Sequence, residues 1–396
     1  MSAEQRFLLL LILIGAVATV LGLVSKRARL LPYPVVLAMA GIAVGLLPGT
    51  QIPRIGGSVI LLAFVPGLIF EAALTLDQPE LRRRILPVSL LATIGVAITV
   101  LLIGVFTHLL LGLSWASAML LGAILAATDP IAVITLLRRV KAPAGLMAIL
   151  EGESLFNDGT GVAVFSAVLA TILSGAPSVG DASIRLLEIT AGGTAIGLAV
   201  GFLGLALLRF AEDAPLEILA TLVIAYGSYL AADLLHASGI VAVVVAGIVV
   251  ARYGSRIGRL HGPQLLGFWN LFAFVLNAML FVLVGAALPA TTLLPVAGVV
   301  VIAFLIMLVT RAVPVYGLLG LADFRGASIP WAWRHVTFWG GLRGALPVAL
   351  ALSVAGLSGV DSRVSVIAYG VVLLSLLVQG GLFAPAMRWL KVEAAA

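Results

Sequence analysis

The chain has 396 residues, of which 62% are hydrophobic and only 10% are charged. Its mean hydropathy of +1.23 lies outside the range of soluble globular proteins and indicates a polytopic membrane protein. The net charge of +6 does not indicate a nucleic-acid partner, because the basic residues stand in short clusters between apolar runs. Without cysteine there are no disulfides or thiolate sites, and the four histidines lack zinc-binding spacing, so we expect no cofactor.

Thirteen apolar runs predict an all-α protein with thirteen transmembrane helices. The runs lie near residues 6–24, 31–48, 58–76, 86–112, 115–137, 144–174, 184–208, 215–235, 238–251, 265–288, 292–320, 331–356 and 364–389. All but the short ninth are long enough to cross the hydrocarbon core. The first run is interpreted as a retained span rather than a secretory signal, because basic residues follow it instead of preceding it.

The distribution of Lys and Arg predicts an N-terminus outside and a C-terminus in the cytoplasm. Under the thirteen-span count, four basic residues fall on one side of the membrane, two fall inside spans, and all the others fall on the opposite side. The four are Arg6, Arg54, Arg185 and Arg363, and the two are Arg311 and Arg343. Because Lys and Arg accumulate in cytoplasmic loops, the side that carries the majority is expected to be cytoplasmic.

Two spans carry polar, proline-bearing interruptions at corresponding places in the two halves of the chain. Span five contains Ala127-Thr-Asp-Pro130, and span twelve, seven later, contains Gly340-Gly-Leu-Arg-Gly-Ala-Leu-Pro347. Proline removes a backbone donor and clashes with the preceding turn, so each helix is expected to break there. Two inverted repeats of six helices around a linking seventh, with crossed discontinuous helices, are typical of secondary transporters.

The polar stretch Glu151-Gly-Glu-Ser-Leu-Phe-Asn-Asp-Gly159 opens the sixth apolar run. An ionisable side chain at membrane depth costs about 2.5 to 3.5 kcal/mol, so such a cluster indicates function. Ser154 and Asp158 are four residues apart and share one helix face. The Asp158 carboxylate, the Ser154 hydroxyl and the Thr128 carbonyl would together supply the oxygen ligands that a small hard cation prefers.

Other acids of the chain have competing interpretations. Asp129 either contributes to this site or caps the freed N–H groups of a half-helix. Glu71, late in span three, either faces the same cavity as a gate or accessory ligand, or reaches the membrane interface. Glu151, closer to the cytoplasmic end, is expected either to cap the helix or to draw cations in.

Arg343 lies within span twelve and cannot lose its proton, so it needs an anionic partner or a water-filled cavity. We assign Glu153, on the face of span six away from Asp158, as that partner. The pair is expected to be structural and to tie the two halves of the chain together. Arg311 is expected nearer an interface and is given no role in exchange.

Four stretches resemble the monovalent cation/proton antiporter family, which includes sodium/hydrogen exchangers and NhaP-type antiporters. They are Phe70-Glu-Ala72, Ala127-Thr-Asp-Pro-Ile-Ala-Val133, Glu153-Ser-Leu-Phe-Asn-Asp158 and Gly340-Gly-Leu-Arg-Gly-Ala345. The resemblance implies that Asp158 carries ion and proton, with Asn157 beside it as the Asn-Asp pair of the family. It also places around the ion a set consisting of Thr128, Asp129, Ser154 and Glu71, and it pairs Glu153 with Arg343.

The resemblance further implies a division of the single transporter unit, 1–396, into two moving parts and a homodimer. Residues 1–80 and 210–290, spans one to three and eight to ten, would form the dimerisation domain. Residues 184–209 would form the linker helix, and 85–174 with 291–390, spans four to six and eleven to thirteen, the core ion-translocation domain. Gly159-Thr-Gly161 and Pro347 resemble the prokaryotic branch, which implies the inner (plasma) membrane and its lipids as surroundings.

The function that this implies is antiport of a monovalent cation, Na+ first, against H+ in pH homeostasis, rather than enzyme activity. Cation and proton would compete for Asp158 and exchange electroneutrally, one for one, because Asn157 stands where electrogenic relatives have a second acid. Three alternatives stay open: a K+/H+ antiporter of the same mechanism, a cation channel, and an intramembrane aspartyl protease that uses Asp129 and Asp158. The GxGD pattern expected of such a protease is missing.

Overall fold

The computed structural model describes residues 15–16, 19–20, 33–45, 57–174, 179–254, 262–286 and 290–390. The described residues form helices and turns, with no strand among them. The first predicted span, 6–24, lies almost wholly outside the described residues. Each of the other predicted spans overlaps at least one helix of the structure.

The helices are labelled in chain order. They are α1 (Tyr33–Gly45), α2 (Gly57–Thr75), α3 (Gln78–Arg83), α4 (Ile85–Leu111), α5 (Trp115–Ala126), α6 (Ile131–Arg139), α7 (Ala144–Leu173), α8 (Val179–Leu208), α9 (Ala214–Leu234), α10 (Gly239–Gly254), α11 (Pro263–Ala286), α12 (Ala297–Ala322), α13 (Trp331–Trp339), α14 (Ala345–Ser353), α15 (Arg363–Leu374) and α16 (Gly381–Leu390). A one-turn helix, Ala290–Leu293, precedes α12. Widened π-helical turns occur inside α4 at Leu91–Gly95 and between α15 and α16 at Ser375–Gly380.

Eight helical stretches in the described part of the chain are long and apolar enough to cross a membrane. They include α2, α4, α7, α8, α9 and α11, together with Leu294–Ala327 and Arg363–Met387. Helices α1, α5 and α10 are apolar but shorter. The chain is therefore an all-helical integral membrane protein. The total of thirteen spans and the orientation of the termini stay predictions.

Two of the predicted spans are interrupted helices. Helix α5 ends at Ala126, and Ala127 turns the backbone to an extended conformation with φ −63° and ψ 137°. Helix α6 begins only at Ile131, directly after Pro130. In the second interruption, α13 ends at Trp339 and α14 begins at Ala345. This second break is shorter than the stretch to Pro347 that the sequence indicated, because proline is tolerated in the first turn of a helix, where its missing N–H needs no partner.

The helices pack around three large apolar clusters, one of which joins α1, α2 and α11 to α14 and α15, while the other two flank α7. One of these two joins α4, α5, α12 and α15 through side chains such as Ile103, Leu121, Met307 and Ile367, all buried. The other joins α2, α9, α10 and α11 through Phe70, Ile224, Val243 and Trp269. Helix α7 contributes to both clusters and contacts α5 on one side and α8 and α10 on the other. The helix that carries the polar stretch thus lies between the two packed groups.

Candidate functional site

The two helix breaks meet each other through their backbones. The Asp129 amide donates a hydrogen bond to the Leu342 carbonyl over 2.8 Å. A Cβ atom on Gly344 would lie 2.6 Å from the Asp129 carboxyl carbon, too close for any residue larger than glycine. The breaks therefore satisfy each other's freed backbone groups, as buried irregular backbone must.

Thr128, in the first break, is bound by two side chains of α7. The Ser154 hydroxyl donates to the Thr128 carbonyl over 2.7 Å. The Asn157 amide donates to the Thr128 hydroxyl over 2.7 Å, and its carbonyl oxygen accepts from the Thr128 N–H over 3.4 Å. Both Thr128 and Asn157 are buried. Three predicted site residues are thus in direct contact, and Asn157 positions the broken helix by its hydrogen bonds.

Asp158 lies one turn after Ser154 on α7 and is partly buried. Its carboxylate is close enough to Asp129 for the charge of Asp129 to act on it. One oxygen of Asp129 accepts from the Ile131 N–H over 3.0 Å, so Asp129 caps the first turn of α6. A carboxylate at this position also complements the positive end of the α6 dipole.

The arrangement can bind a small cation through oxygen atoms. The Ser154 oxygen and the Thr128 carbonyl each keep a free lone pair after their mutual hydrogen bond. Asp158 adds a carboxylate from the same face of α7. Within the residues that the structure describes, no group of three or more His, Cys, Asp or Glu side chains could hold a metal ion together. The ligands available at the break are therefore carboxylate, hydroxyl and carbonyl oxygens, which suit hard alkali cations.

The structure corrects the predicted ion pair. Glu153 is bonded to Arg311 of α12, with 2.5 Å between Nη1 and Oε1, and not to Arg343. Arg311 is 5% exposed and Glu153 is 2% exposed, so the pair is buried within the protein, and the depth of Arg311 in the membrane stays a prediction. Arg311 also donates to the Thr337 carbonyl over 3.3 Å. The buried pair joins α7 to α12 and so links the two halves of the chain, as expected. The arginine that makes this link is Arg311 and not Arg343.

Arg343 instead holds the first helix break. Its Nη1 donates to the carbonyls of Ala126 and Ala127, each over 3.1 Å, and its own N–H donates to the Ser375 hydroxyl over 3.0 Å. The last carbonyls of a helix have no partner within it and carry its negative partial charge. A fully buried guanidinium at this end of α5 supplies both the missing donors and the opposite charge. The sequence carried no signal for this role, because α5 ends at Ala126, far from Arg343 along the chain.

Sequence reasoning missed Thr160, which lies two residues beyond Asp158. Its hydroxyl donates over 2.6 Å to the Ala92 carbonyl, inside the π-helical turn of α4. A π-helical turn leaves a backbone carbonyl without its usual partner and often occurs near functional sites. No sequence pattern marks such a turn in an apolar helix. The hydrogen bond of Thr160 thus ties α7 to α4.

Glu71 and Glu151 lie together near the end of α7 that precedes the site. Glu151 accepts a hydrogen bond from Arg138 over 3.0 Å. The charges of Arg138 and Glu151 both act on Glu71 of α2. Helix α7 begins at Ala144, so Glu151 lies in its third turn and does not cap it, and one of its two predicted roles was wrong. Glu71 lies close enough to Arg138 and Glu151 for their charges to act on it, and its role as a gate or accessory ligand stays a prediction.

An all-helical membrane protein with two crossed helix breaks and acids beside them has the architecture of a secondary transporter. The family model for the transmembrane sodium/hydrogen exchanger matches residues 12–389. The chain belongs to the sodium/hydrogen exchanger family. Members of this family are transporters, and the protein is not an enzyme.

Bacterial antiporters resemble the chain over most of its length. The Na(+)/H(+) antiporter ApNhaP of Aphanothece halophytica is 37% identical over 383 residues, which cover 95% of this chain and 73% of that protein. The Na(+)/H(+) antiporter NhaP of Pseudomonas aeruginosa is 35% identical over 404 residues, covering 97% and 92%. The archaeal sodium proton antiporter MjNhaP1 of Methanocaldococcus jannaschii has the same fold, with a TM-score of 0.78, 23% identity, and coverage of 97% of this chain and 99% of that one.

Proposed function

We propose that the protein exchanges Na+ for H+ across the membrane at a site made by Asp158, Ser154 and the Thr128 carbonyl. The observation that carries this proposal is the hydrogen bond between Ser154 and the Thr128 carbonyl, which gathers two oxygen ligands beside Asp158 at the break. Relatives with 37% and 35% identity are named as Na(+)/H(+) antiporters. Potassium is the alternative cation, because the same ligands suit either ion.

The mechanism is competition between a cation and a proton for one carboxylate. Either occupant neutralises Asp158, and a neutral site can move through the apolar surroundings, whereas an empty charged one meets a large desolvation cost. Asn157 is neutral and engaged with Thr128, so the exchange carries one charge in each direction. The expected stoichiometry is one Na+ for one H+.

Alternating access follows from a division of the helices into two bodies. Helices α4 to α7 and α12 to α16 form the core that holds the site, and α1, α2 and α9 to α11 form a dimerisation domain, with α8 as linker. The two apolar clusters on either side of α7 support this division, and a third cluster crosses it by joining α1, α2 and α11 to α14 and α15. We place the homodimer in the inner membrane of a prokaryote.

Proton flux in proteoliposomes tests this function. Addition of Na+, K+ and Li+ in turn should drive proton movement with Na+ as the best substrate, and Asp158→Asn should abolish it while the variant stays folded. Asp233→Asn, an exposed acid at the end of α9, is the matched control and should retain flux. Substantial exchange by Asp158→Asn would contradict the shared site.

A further inference from the structure

A group of charged side chains lies at one end of α7, apart from the helix breaks. Arg138, near the end of α6, donates to Glu151 over 3.0 Å; its side chain is 63% exposed and that of Glu151 is 18% exposed. Glu71 of α2 lies close enough to both side chains for electrostatic interaction. Asp77, which precedes α3, interacts electrostatically with Glu151. Glu151 is thus paired with Arg138 and has Glu71 and Asp77 in its neighbourhood, and we call Arg138, Glu151, Glu71 and Asp77 the charged vestibule.

The vestibule is continuous with the site through one face of α7. Glu151, Ser154 and Asp158 are spaced at i, i+3 and i+7, so they lie in one row along the helix. With a rise of about 1.5 Å per residue, Glu151 is about 10 Å from Asp158 along the axis. Helix α2, which carries Glu71, contacts α7. If the cation approaches Asp158 along this row, it passes Arg138 first.

We propose that Arg138 is a tethered cation that occupies the vestibule and sets the local concentration of the transported ions. This inference rests on the proposed function. Arg138 pairs with Glu151, a carboxylate that would otherwise attract Na+, and its exposure leaves it free to move aside. An exposed ion pair of this kind contributes little to the free energy of folding. The main effect of the Arg138 charge is therefore on ions that approach the site.

Removal of the charge has a distinctive kinetic signature. At a point about 10 Å from a unit positive charge, with an effective dielectric constant of about 40 to 80, removal of that charge raises the local concentration of a monovalent cation about two- to fourfold. Na+ and H+ carry the same charge, so both rise by the same factor. At alkaline pH, where protons do not compete, the KM for Na+ falls by that factor. At acidic pH, where H+ competes with Na+, the local concentrations of both ions rise by the same factor. The competition is then unaltered, and the KM for Na+ is unchanged.

The test uses the full chain in proteoliposomes, with Na+ KM measured separately from each face at alkaline and acidic pH. Arg138→Gln should lower the KM about two- to fourfold at alkaline pH, from one face only. The difference should shrink in acid and at high ionic strength, where charges are screened. Arg83→Gln is the matched control: Arg83 is 78% exposed and pairs with Glu80 over 3.3 Å, outside the vestibule. It should leave the KM unchanged.

Glu151→Gln provides the opposite change, since it removes a vestibule carboxylate, and should raise the KM for Na+ at alkaline pH from the same face. An unchanged KM in Arg138→Gln, an equal change from both faces, or the same change in Arg83→Gln would overturn the role of Arg138 and leave exchange itself intact. A wild-type protein without Na+-driven proton flux would instead refute the proposed function and, with it, this inference.

Discussion

Two buried arginines have separate structural roles at the site. Arg311 neutralises Glu153 between α7 and α12, and Arg343 supplies donors to the last carbonyls of α5. None of these hydrogen bonds involves Asp158 or a residue of the vestibule. The two arginines therefore hold the elements around the candidate site.

Loss of one partner of the buried pair is expected to be costly. Arg311→Met leaves the Glu153 carboxylate buried without a counter-charge, which destabilises a protein by about 3 to 5 kcal/mol. Thermal unfolding in detergent should therefore show a large fall in Tm. The double variant Arg311→Met with Glu153→Leu should recover most of the loss, because no lone charge remains.

The control for this prediction is an exposed ion pair. Arg363 and Asp361 are 2.7 Å apart, and the arginine side chain is 43% exposed. Arg363→Gln should change stability by less than about 1 kcal/mol. If Arg311→Met proved as stable as Arg363→Gln, the pair with Glu153 would not be the link between α7 and α12.

At the residue scale, the sequence identified which groups are buried but not how they pair. Glu153 was correctly expected to need a cation, since a buried charge is costly. Both Arg311 and Arg343 were available, and the choice depends on how α7, α12 and the second break cross in space. Spacing along one chain carries no information about that crossing. The contact between Ser154 and Thr128 could be predicted from the sequence. Ser154 shares a helix face with Asp158, and Thr128 lies next to the helix break at Pro130.

At the element scale, the crossed breaks are the feature on which the site depends. Pro130 and the glycines of Gly340–Gly344 made the breaks predictable. The backbone bond between Asp129 and Leu342 and the π-helical turns at Leu91–Gly95 and Ser375–Gly380 were not, because they arise from contacts between distant segments. The breaks therefore position Thr128 only when both halves are packed against each other.

The close approach of the breaks makes Gly344 irreplaceable. In Gly344→Ala the new Cβ would overlap the Asp129 carboxylate, so we expect a lower Tm and a loss of Na+-driven proton flux. Gly317→Ala is the matched control, because nothing lies within 4 Å of its Cβ position on α12. It should be neutral or slightly stabilising. Normal flux in Gly344→Ala would show that the breaks tolerate separation.

The π-helical turn of α4 is expected to depend on Thr160. Thr160→Val leaves the buried Ala92 carbonyl without its side-chain donor, which costs about 1 to 3 kcal/mol. Amide hydrogen exchange should become faster across Leu91–Gly95. Thr135→Val removes a hydroxyl that bonds only the exposed Ile131 carbonyl of its own helix, and should have no such effect. Equal protection in both variants would contradict a local role for Thr160.

At the scale of the whole molecule, a carrier with one acidic site should be insensitive to voltage. If one Na+ is exchanged for one H+, no net charge crosses, and clamping the membrane potential in proteoliposomes should leave the initial rate unchanged. A clear dependence on voltage would mean that more than one charge moves per cycle. Asp129 would then be the next acid to test, because its charge acts on Asp158.

The central claim is that Asp158 holds either a cation or a proton. The most direct test adds Na+ to the purified protein in weakly buffered detergent solution and measures proton release together with Na+ binding. We predict close to one proton released per Na+ bound at a pH where the site is protonated, and none from Asp158→Asn. Sodium binding to the wild-type protein without proton release would contradict the account.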